Sequence, residues 1–236
     1  MTDEVMIAAR FNGPPASGNG GYACGLAAAA IGPSALVRLS LPPPLEVPLT
    51  RHRDADGSVR LMRGDATVAA GRPASPAVDI PATPTLAVAT RAEANFVGRD
   101  PEHHAFPTCF VCGPKRLADG LRVFPGPVGH DGVLACSWHP GHEFAEDGVV
   151  DPVFTWAALD CPSGFACMPS GSETVLACMT ATLQAPAYAD HAYIVTAWRI
   201  SSEGRKHRAG SAIHDARGKP VAFAEALWIT LRGDSP

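Results

Sequence analysis

Asp151-Pro152-Val153-Phe154-Thr155-Trp156-Ala157-Ala158-Leu159-Asp160, followed by Cys161-Pro162-Ser163-Gly164, is the stretch on which the reading of this chain turns. Asp151 can cap a helix through its side-chain oxygen, and Pro152 suits the first helical position, where no N–H is needed. Val153, Phe154, Trp156, Ala157, Ala158 and Leu159 are apolar on almost every side, so the helix is expected to be buried all round. Pro162 disfavours helical geometry at Cys161, and Gly164 suits an exit, which predicts a helix over 152–161. Asp160 is then a carboxylate at the C-terminal end of a buried apolar helix. Desolvation and the negative end of the helix dipole both oppose its ionised form.

Working outward, four strand-like segments follow this helix, at 175–184, 192–201, 206–215 and 221–231, with turns at Glu203-Gly204 and Arg217-Gly218. Two more strands, 121–124 and 132–138, precede it. The N-terminal half repeats the plan. A strand over 5–11 leads through a Gly- and Pro-rich loop ending in Asn19-Gly20-Gly21 to an Ala-rich helix over 22–31 with Gly32 and Pro33 as its stop. Strands over 35–41, 45–52, 58–63 and 66–72 come next. Prolines 42, 43, 44 and 48 place the second of these at an edge or a bulge. Residues 73–84 form a Pro- and Ala-rich linker, and a short helix is expected within 86–97. Tyr22 and Phe154 sit at matching points of the two halves, as a remote internal duplication requires. The divisions are 1–72 and 120–236 for the halves and 73–119 for the connection.

At 236 residues, with 46% hydrophobic and 18% charged residues, the chain can build a core and is not a disordered one. Its net charge of −4, with no basic run, gives no nucleic-acid footprint. No apolar stretch approaches the roughly 20 residues that span a bilayer. The acidic start, Met-Thr-Asp-Glu, is not followed by a signal-peptide core, and seven scattered cysteines do not form a disulfide framework. A soluble cytoplasmic protein with reduced thiols is expected, with room for a homo-oligomer.

This plan resembles the hotdog fold, and its duplication resembles the double hotdog of acyl-CoA thioesterases. The resemblance implies an α+β tandem hotdog. Two antiparallel sheets, each wrapped on a central helix, would join edge to edge as a pseudo-dimer. One subgroup of hotdog thioesterases opens its helix with His-Gly-Gly and carries Asp or Glu nine residues after that His. A glycine N–H polarises the thioester carbonyl, and the carboxylate of the facing protomer acts as nucleophile or general base. Here Asn19-Gly20-Gly21 takes the place of His-Gly-Gly in the first half, but Ala28 stands nine residues after Asn19. In the second half Asp160 stands nine residues after Asp151, but Pro152 has no N–H to offer. The resemblance therefore implies one complete site, Gly20 or Gly21 facing Asp160, and a dead mirror image pairing Pro152 with Ala28. Both helix openings lack the His of the pattern.

The implied activity is hydrolysis of an acyl-thioester such as an acyl-CoA. Asp160 would be the base or nucleophile and the Gly20 or Gly21 amide the oxyanion donor, a contact worth roughly 10²–10³ in rate. Gln184 would position a water, while Asn19, Tyr22 and Trp156 would contact the substrate. Each has a plainer reading: Asp160 bonding turn donors, the glycines making a tight turn, Asn19 and Asp151 serving as helix caps. A non-catalytic acyl- or CoA-binding module using the same groove is the second functional class. No cofactor is expected. Cys109-Phe110-Val111-Cys112, with His103 and His104 upstream, is a single CxxC, and no metal is expected there because its third and fourth ligands are poorly spaced.

Overall fold

The computed structural model describes residues 2–116, 118–129, 131–168 and 172–231. The N-terminal half contributes β1 (Thr2–Met6), α1 (Gly20–Ala28), β2 (Ser34–Leu39), β3 (Pro48–Arg53), β4 (Val59–Arg63) and β5 (Ala66–Pro73). After α2 (Leu86–Ala92) come β6 (Gly126–Val128), β7 (Val133–Trp138) and the small hairpin β8 (Ala145–Glu146) and β9 (Val149–Val150). The C-terminal half continues with α3 (Pro152–Cys167), β10 (Thr174–Leu183), β11 (Tyr193–Glu203), β12 (Lys206–Asp215) and β13 (Pro220–Thr230).

Eleven strands form one continuous sheet in the order β1-β3-β4-β5-β2-β10-β13-β12-β11-β7-β6, so the two sets of strands are not separate sheets. Its neighbours are antiparallel among the described residues. The halves meet where β2 pairs with β10, Leu36 opposite Thr180. Outward from that join, the N-terminal half runs β2-β5-β4-β3-β1 and the C-terminal half β10-β13-β12-β11-β7. These are the same order, strand for strand.

Both long helices lie against this sheet and against each other. They carry no polar stripe: Tyr22, Ala23, Cys24, Ala27 and Ala28 of α1 are buried, as is α3 from Val153 to Gly164. Val37 of β2 belongs to the same core, whereas Leu36 and Arg38 point to the other face, as strand alternation requires. Residues 74–85 cross that other face without regular structure, held by a hydrogen bond of 3.1 Å between Thr83 Oγ1 and His214 Nε2.

Several expectations need correcting. α3 does not end at residue 161 but runs to Cys167, straight through Pro162 and Gly164. Proline removes one donor, and the carbonyls around the irregularity find side chains instead. Ser211 Oγ donates to Leu159 O at 2.8 Å, Ser163 Oγ donates to Asp160 O at 2.7 Å, and Trp228 Nε1 donates to Ser163 Oγ at 2.9 Å. Asp160 is consequently mid-helix, away from the dipole's negative end. α1 begins at Gly20 rather than Tyr22 and ends at Ala28. The strand expected at 5–11 is β1 followed by a 3₁₀ turn, Ala9–Phe11. Residues 121–124 are not a strand. Leu121 N–H and Val123 N–H donate instead to the carbonyls of Phe110 and Val111, at 2.8 and 3.0 Å. β3 is not an edge strand, since it pairs with both β1 and β4, and Pro48 is tolerated as its first residue.

Ser163 is fully buried and serves as donor and acceptor at once. Ser163→Ala leaves Trp228 Nε1 and Asp160 O without these partners. The expected outcome is a loss of about 1–3 kcal/mol in denaturant unfolding, with an unchanged far-UV circular dichroism spectrum.

Candidate active site

The loop before α1 is closed by backbone bonds. Gly13 N–H donates to Ser17 O, Gly18 N–H to Pro43 O and Asn19 N–H to Phe11 O, at 2.8–2.9 Å. Asn19 then caps α1, its Oδ1 accepting from Tyr22 N–H at 2.9 Å. The cap was legible in the sequence; the use of its other end was not. Asn19 Nδ2 donates to Asp160 Oδ2 at 2.8 Å. Gly21 N–H donates to the same oxygen at 2.9 Å. The two halves of the chain thus meet at one carboxylate oxygen, and Asp160 Oδ1 is buried with no hydrogen-bond partner among the described residues.

Glycine makes this approach feasible. A Cβ on Gly21 would lie 2.5 Å from Asp160 Cβ and 2.7 Å from Trp156 O. One turn on, a Cβ on Gly25 would lie 2.9 Å from Val153 Cα. Gly21 and Gly25 share one face of α1, and Val153, Trp156, Ala157 and Asp160 share the facing side of α3. A Cβ on Gly20 would meet the Leu176 side chain at 2.9 Å, not the partner helix. Gly20 N–H occupies the first helical position, where no intrahelical acceptor exists.

Asp160 is 2% exposed, and its pKa is pushed up to about 7. Burial is the main cause. The Gly21 N–H opposes it, the charge of nearby Cys109 adds to it, and Asn19 opposes it again. Of the two causes expected from the sequence, desolvation acts, and the dipole does not, since Asp160 lies in mid-helix.

The remaining expected residues divide. Tyr22 is buried and stacked on Phe11, with ring centroids 4.4 Å apart, in a cluster with Phe110, Phe144 and Phe154. Burial and the charge of Asp151 push its hydroxyl up to about 12. Trp156 is buried between the helices. Both are core residues next to Asp160 rather than the walls of an open groove. Gln184 does not join them. It lies exposed just past the end of β10, while Leu176 near the start of that strand touches Gly20, eight residues or about 26 Å away along the strand. Asp151 caps α3 through Oδ1, accepting from Val153 N–H at 2.9 Å.

Residues 103–113 come close to Asp160. Cys109 Sγ lies 3.7 Å from Cys161 Sγ, and Asn19 Nδ2 is 3.8 Å from the same Cys161 sulfur. The Cys109 thiol is held well below its ordinary value, chiefly by hydrogen bonds from the Cys112 and Cys161 thiols and against the effect of burial. Cys112 and Cys161 are pushed up correspondingly. His103 faces solvent and Asp100, whereas His104 is buried, its Nε2 without a hydrogen-bond partner among the described residues. The convergence of Cys161 on the CxxC turn was missed, because nothing local in the sequence links positions 109 and 161. Two cavities, of about 360 and 280 Å³, lie on the outer sheet face and beside Tyr193, and neither is lined by Asp160.

No protein-family model matches the chain, and no curated protein matches it. Solved structures do. A tesB protein from Mycobacterium avium subspecies paratuberculosis superposes over 98% of this chain and 93% of its own, at 11% identity and a TM-score of 0.62. The acyl-CoA thioesterase II TesB2 of Mycobacterium marinum covers 99% and 94%, at 12% identity and TM-score 0.59. A conserved protein of unknown function with a hot dog fold, from Alicyclobacillus acidocaldarius, covers 98% and 94%, at 10% identity and TM-score 0.55. The chain shares its hotdog fold with these structures.

The helix contact yields an ordering. Gly21→Ala drives a methyl group into Asp160 and the Trp156 carbonyl, and is expected to cost about 1–3 kcal/mol or more in thermal or chemical unfolding. Gly20→Ala meets Leu176 Cβ at 2.9 Å but no backbone atom and no part of the partner helix, and is expected to cost less.

Proposed function

We propose that this chain is a double hotdog that hydrolyses acyl-thioesters of the acyl-CoA kind at one site between α1 and α3. Residues 1–72 and 120–236 are its two hotdog units and 73–119 connects them. The matching strand orders on either side of the β2·β10 join support this division. None of the seven cysteines pairs in a disulfide, which suits a reducing, cytoplasmic setting. No helix among the described residues is long and apolar enough to cross a membrane.

The observation that carries the chemistry is the divided role of one carboxylate. Asp160 Oδ2 is fixed by Gly21 N–H and Asn19 Nδ2, while Oδ1 makes no hydrogen bond among the described residues. A fixed carboxylate with one unengaged oxygen is suited to accept a proton from water. Water adds to the thioester carbonyl as Asp160 takes its proton. The oxyanion so formed accepts a hydrogen bond from Gly20 N–H, because Gly21 N–H is already committed to Asp160. Collapse of the tetrahedral intermediate expels the thiolate, which takes up a proton, and leaves the carboxylic acid. The mirror position has no such machinery: Pro152 lacks an N–H, and Ala28 lacks a carboxyl group.

Asp160 is closed from solvent, so the substrate must displace part of the covering structure. That burial is also what favours the second reading, a binding module for an acyl group or CoA that performs no hydrolysis. Thiol release from short-, medium- and long-chain acyl-CoAs decides between them. The expected outcome is turnover by the wild type, reduced roughly 10²–10⁴-fold in Asp160→Asn. Asn at 160 can still accept from Gly21 and Asn19, so the fold should persist. Gly20→Pro, tolerated at a first helical position, should lower the rate roughly 10²–10³-fold. Asp151→Asn, Ala28→Ser and Gln184→Ala should leave it unchanged. Equal damage from Asp151→Asn and Asp160→Asn would refute the single-site reading, and an inactive wild type across all chain lengths would favour the binding module.

A further inference from the structure

The three thiols beside Asp160 have no part in the hydrolysis described above. The Sγ atoms of Cys109, Cys112 and Cys161 all lie within 4.8 Å of one another, and all three residues are buried. Cys109 and Cys161 are 3.7 Å apart. Tetrahedral zinc with Zn–S bonds of about 2.3 Å places its sulfurs about 3.8 Å apart. The spacing is therefore that of ligands around one ion. A disulfide, at about 2.05 Å, would unite two of the sulfurs and strand the third.

The turn that carries two of these thiols is built tightly. In Cys109-Phe110-Val111-Cys112-Gly113, Gly113 N–H donates to Cys109 O at 2.9 Å. A Cβ on Gly113 would lie 2.5 Å from that oxygen and 2.6 Å from Cys109 N, so the chain folds back closely enough that only glycine fits. Leu121 and Val123 brace the turn through the Phe110 and Val111 carbonyls. The third thiol comes from α3, one residue past Asp160. The sequence-based expectation of no metal assumed that every ligand must come from residues 103–112, and the fold removes that assumption.

We propose that Cys109, Cys112 and Cys161 form a tri-thiolate site for one zinc ion, which clamps the connecting segment to α3 beside Asp160. Binding releases to solvent whatever protons the three thiols still carry, leaving a zinc–trithiolate unit of net charge −1. The fourth position falls to water or, if its ring moves toward the cluster it now lies outside, to His104, whose Nε2 is buried without a partner among the described residues. The ion's role is positional. It fixes the segment against which Asp160 and Asn19 are packed, and it takes no part in thioester cleavage.

The test uses the full chain, purified without chelator or metal-affinity steps. Elemental analysis is expected to find about one zinc per chain. Exchange for Co²⁺ should give sulfur-to-cobalt charge-transfer absorption in the near ultraviolet. Cys112→Ser should lose both signals. Cys178→Ser, on β10 and outside the cluster, should keep them. Asp160→Asn should also keep them, so a failure of the hydrolase reading and a failure of the metal site are separately visible. His104→Ala altering the cobalt d–d bands while retaining the charge-transfer band would assign the fourth ligand to His104. Unaltered bands would assign it to water. If Cys112→Ser does not fold, the wild-type measurements decide. Zinc well below stoichiometry with no charge-transfer band on adding Co²⁺ overturns the proposal, as does a disulfide among the three cysteines in non-reducing peptide mapping of the fresh protein.

Discussion

The bond from Gly21 N–H to Asp160 Oδ2 is the contact on which the arrangement depends. It requires the first turn of α1 and the middle of α3 to lie almost backbone to backbone, and the glycines at 21 and 25 are what permit this. The close approach places the positive end of α1 against a carboxylate carried by the other half. A buried carboxylate would otherwise be strongly disfavoured. Two donors on one oxygen offset part of that cost, and burial retains the rest, leaving the group balanced with a pKa of about 7. Asn19 serves both ends of the arrangement, capping α1 with Oδ1 and holding Asp160 with Nδ2. Packing and polar satisfaction are a single problem here, since a side chain at position 21 would disturb both.

The same contact explains how two equivalent halves acquire different duties. Their strand orders match, and each central helix opens on a short polar cap, Asn19 or Asp151. Past the cap they diverge. α1 begins with two glycines, contributes backbone donors and close approach, and has alanine where a carboxylate would stand. α3 begins with proline, contributes no donor there, and carries Asp160. Each helix has kept what the other lacks. A donor set and a carboxylate need each other across the interface, but one pairing satisfies both, and the second pair of positions is then free to become packing.

Much of this was legible in the sequence because the signals were local. Asn19-Gly20-Gly21 and Asp151-Pro152 mark helix starts through capping and proline chemistry, and the spacing to Asp160 and Ala28 is simple counting. The signals that failed were local ones overridden by distant partners. Pro162 reads as a stop, yet the helix continues because Ser211 and Trp228, from β12 and β13, complete its irregular turn together with Ser163. Gln184 has the right chemistry for a water-positioning amide, but strand length carries it to the far end of β10. Tyr22 and Trp156 look like ligand contacts by position; Tyr22 is closed into the core by Phe11, Phe110 and Phe154, rings that come from three separate parts of the chain, and Trp156 is buried between the helices.

The connecting segment is where the symmetry of the two halves is broken most deeply. A sheet whose two sides match in strand order, with two matching helices, has no intrinsic preference for one of its two mirror positions. Residues 103–113 supply one, because they pass only once and lie by Asp160. Phe110 enters the aromatic cluster of Tyr22 and Phe154, its N–H donates to Asn12 O at 2.8 Å, and Cys109 reaches Cys161. The segment therefore touches the loop before α1, the ring at its first turn and the residue after the carboxylate. It shields Asp160 from water and strengthens every interaction that carboxylate makes. It also stands in the path of anything that would reach Asp160. A segment that shields the carboxylate and bars access to it must be held firmly and yet be displaceable, and a compact cluster of thiols is a way to hold it.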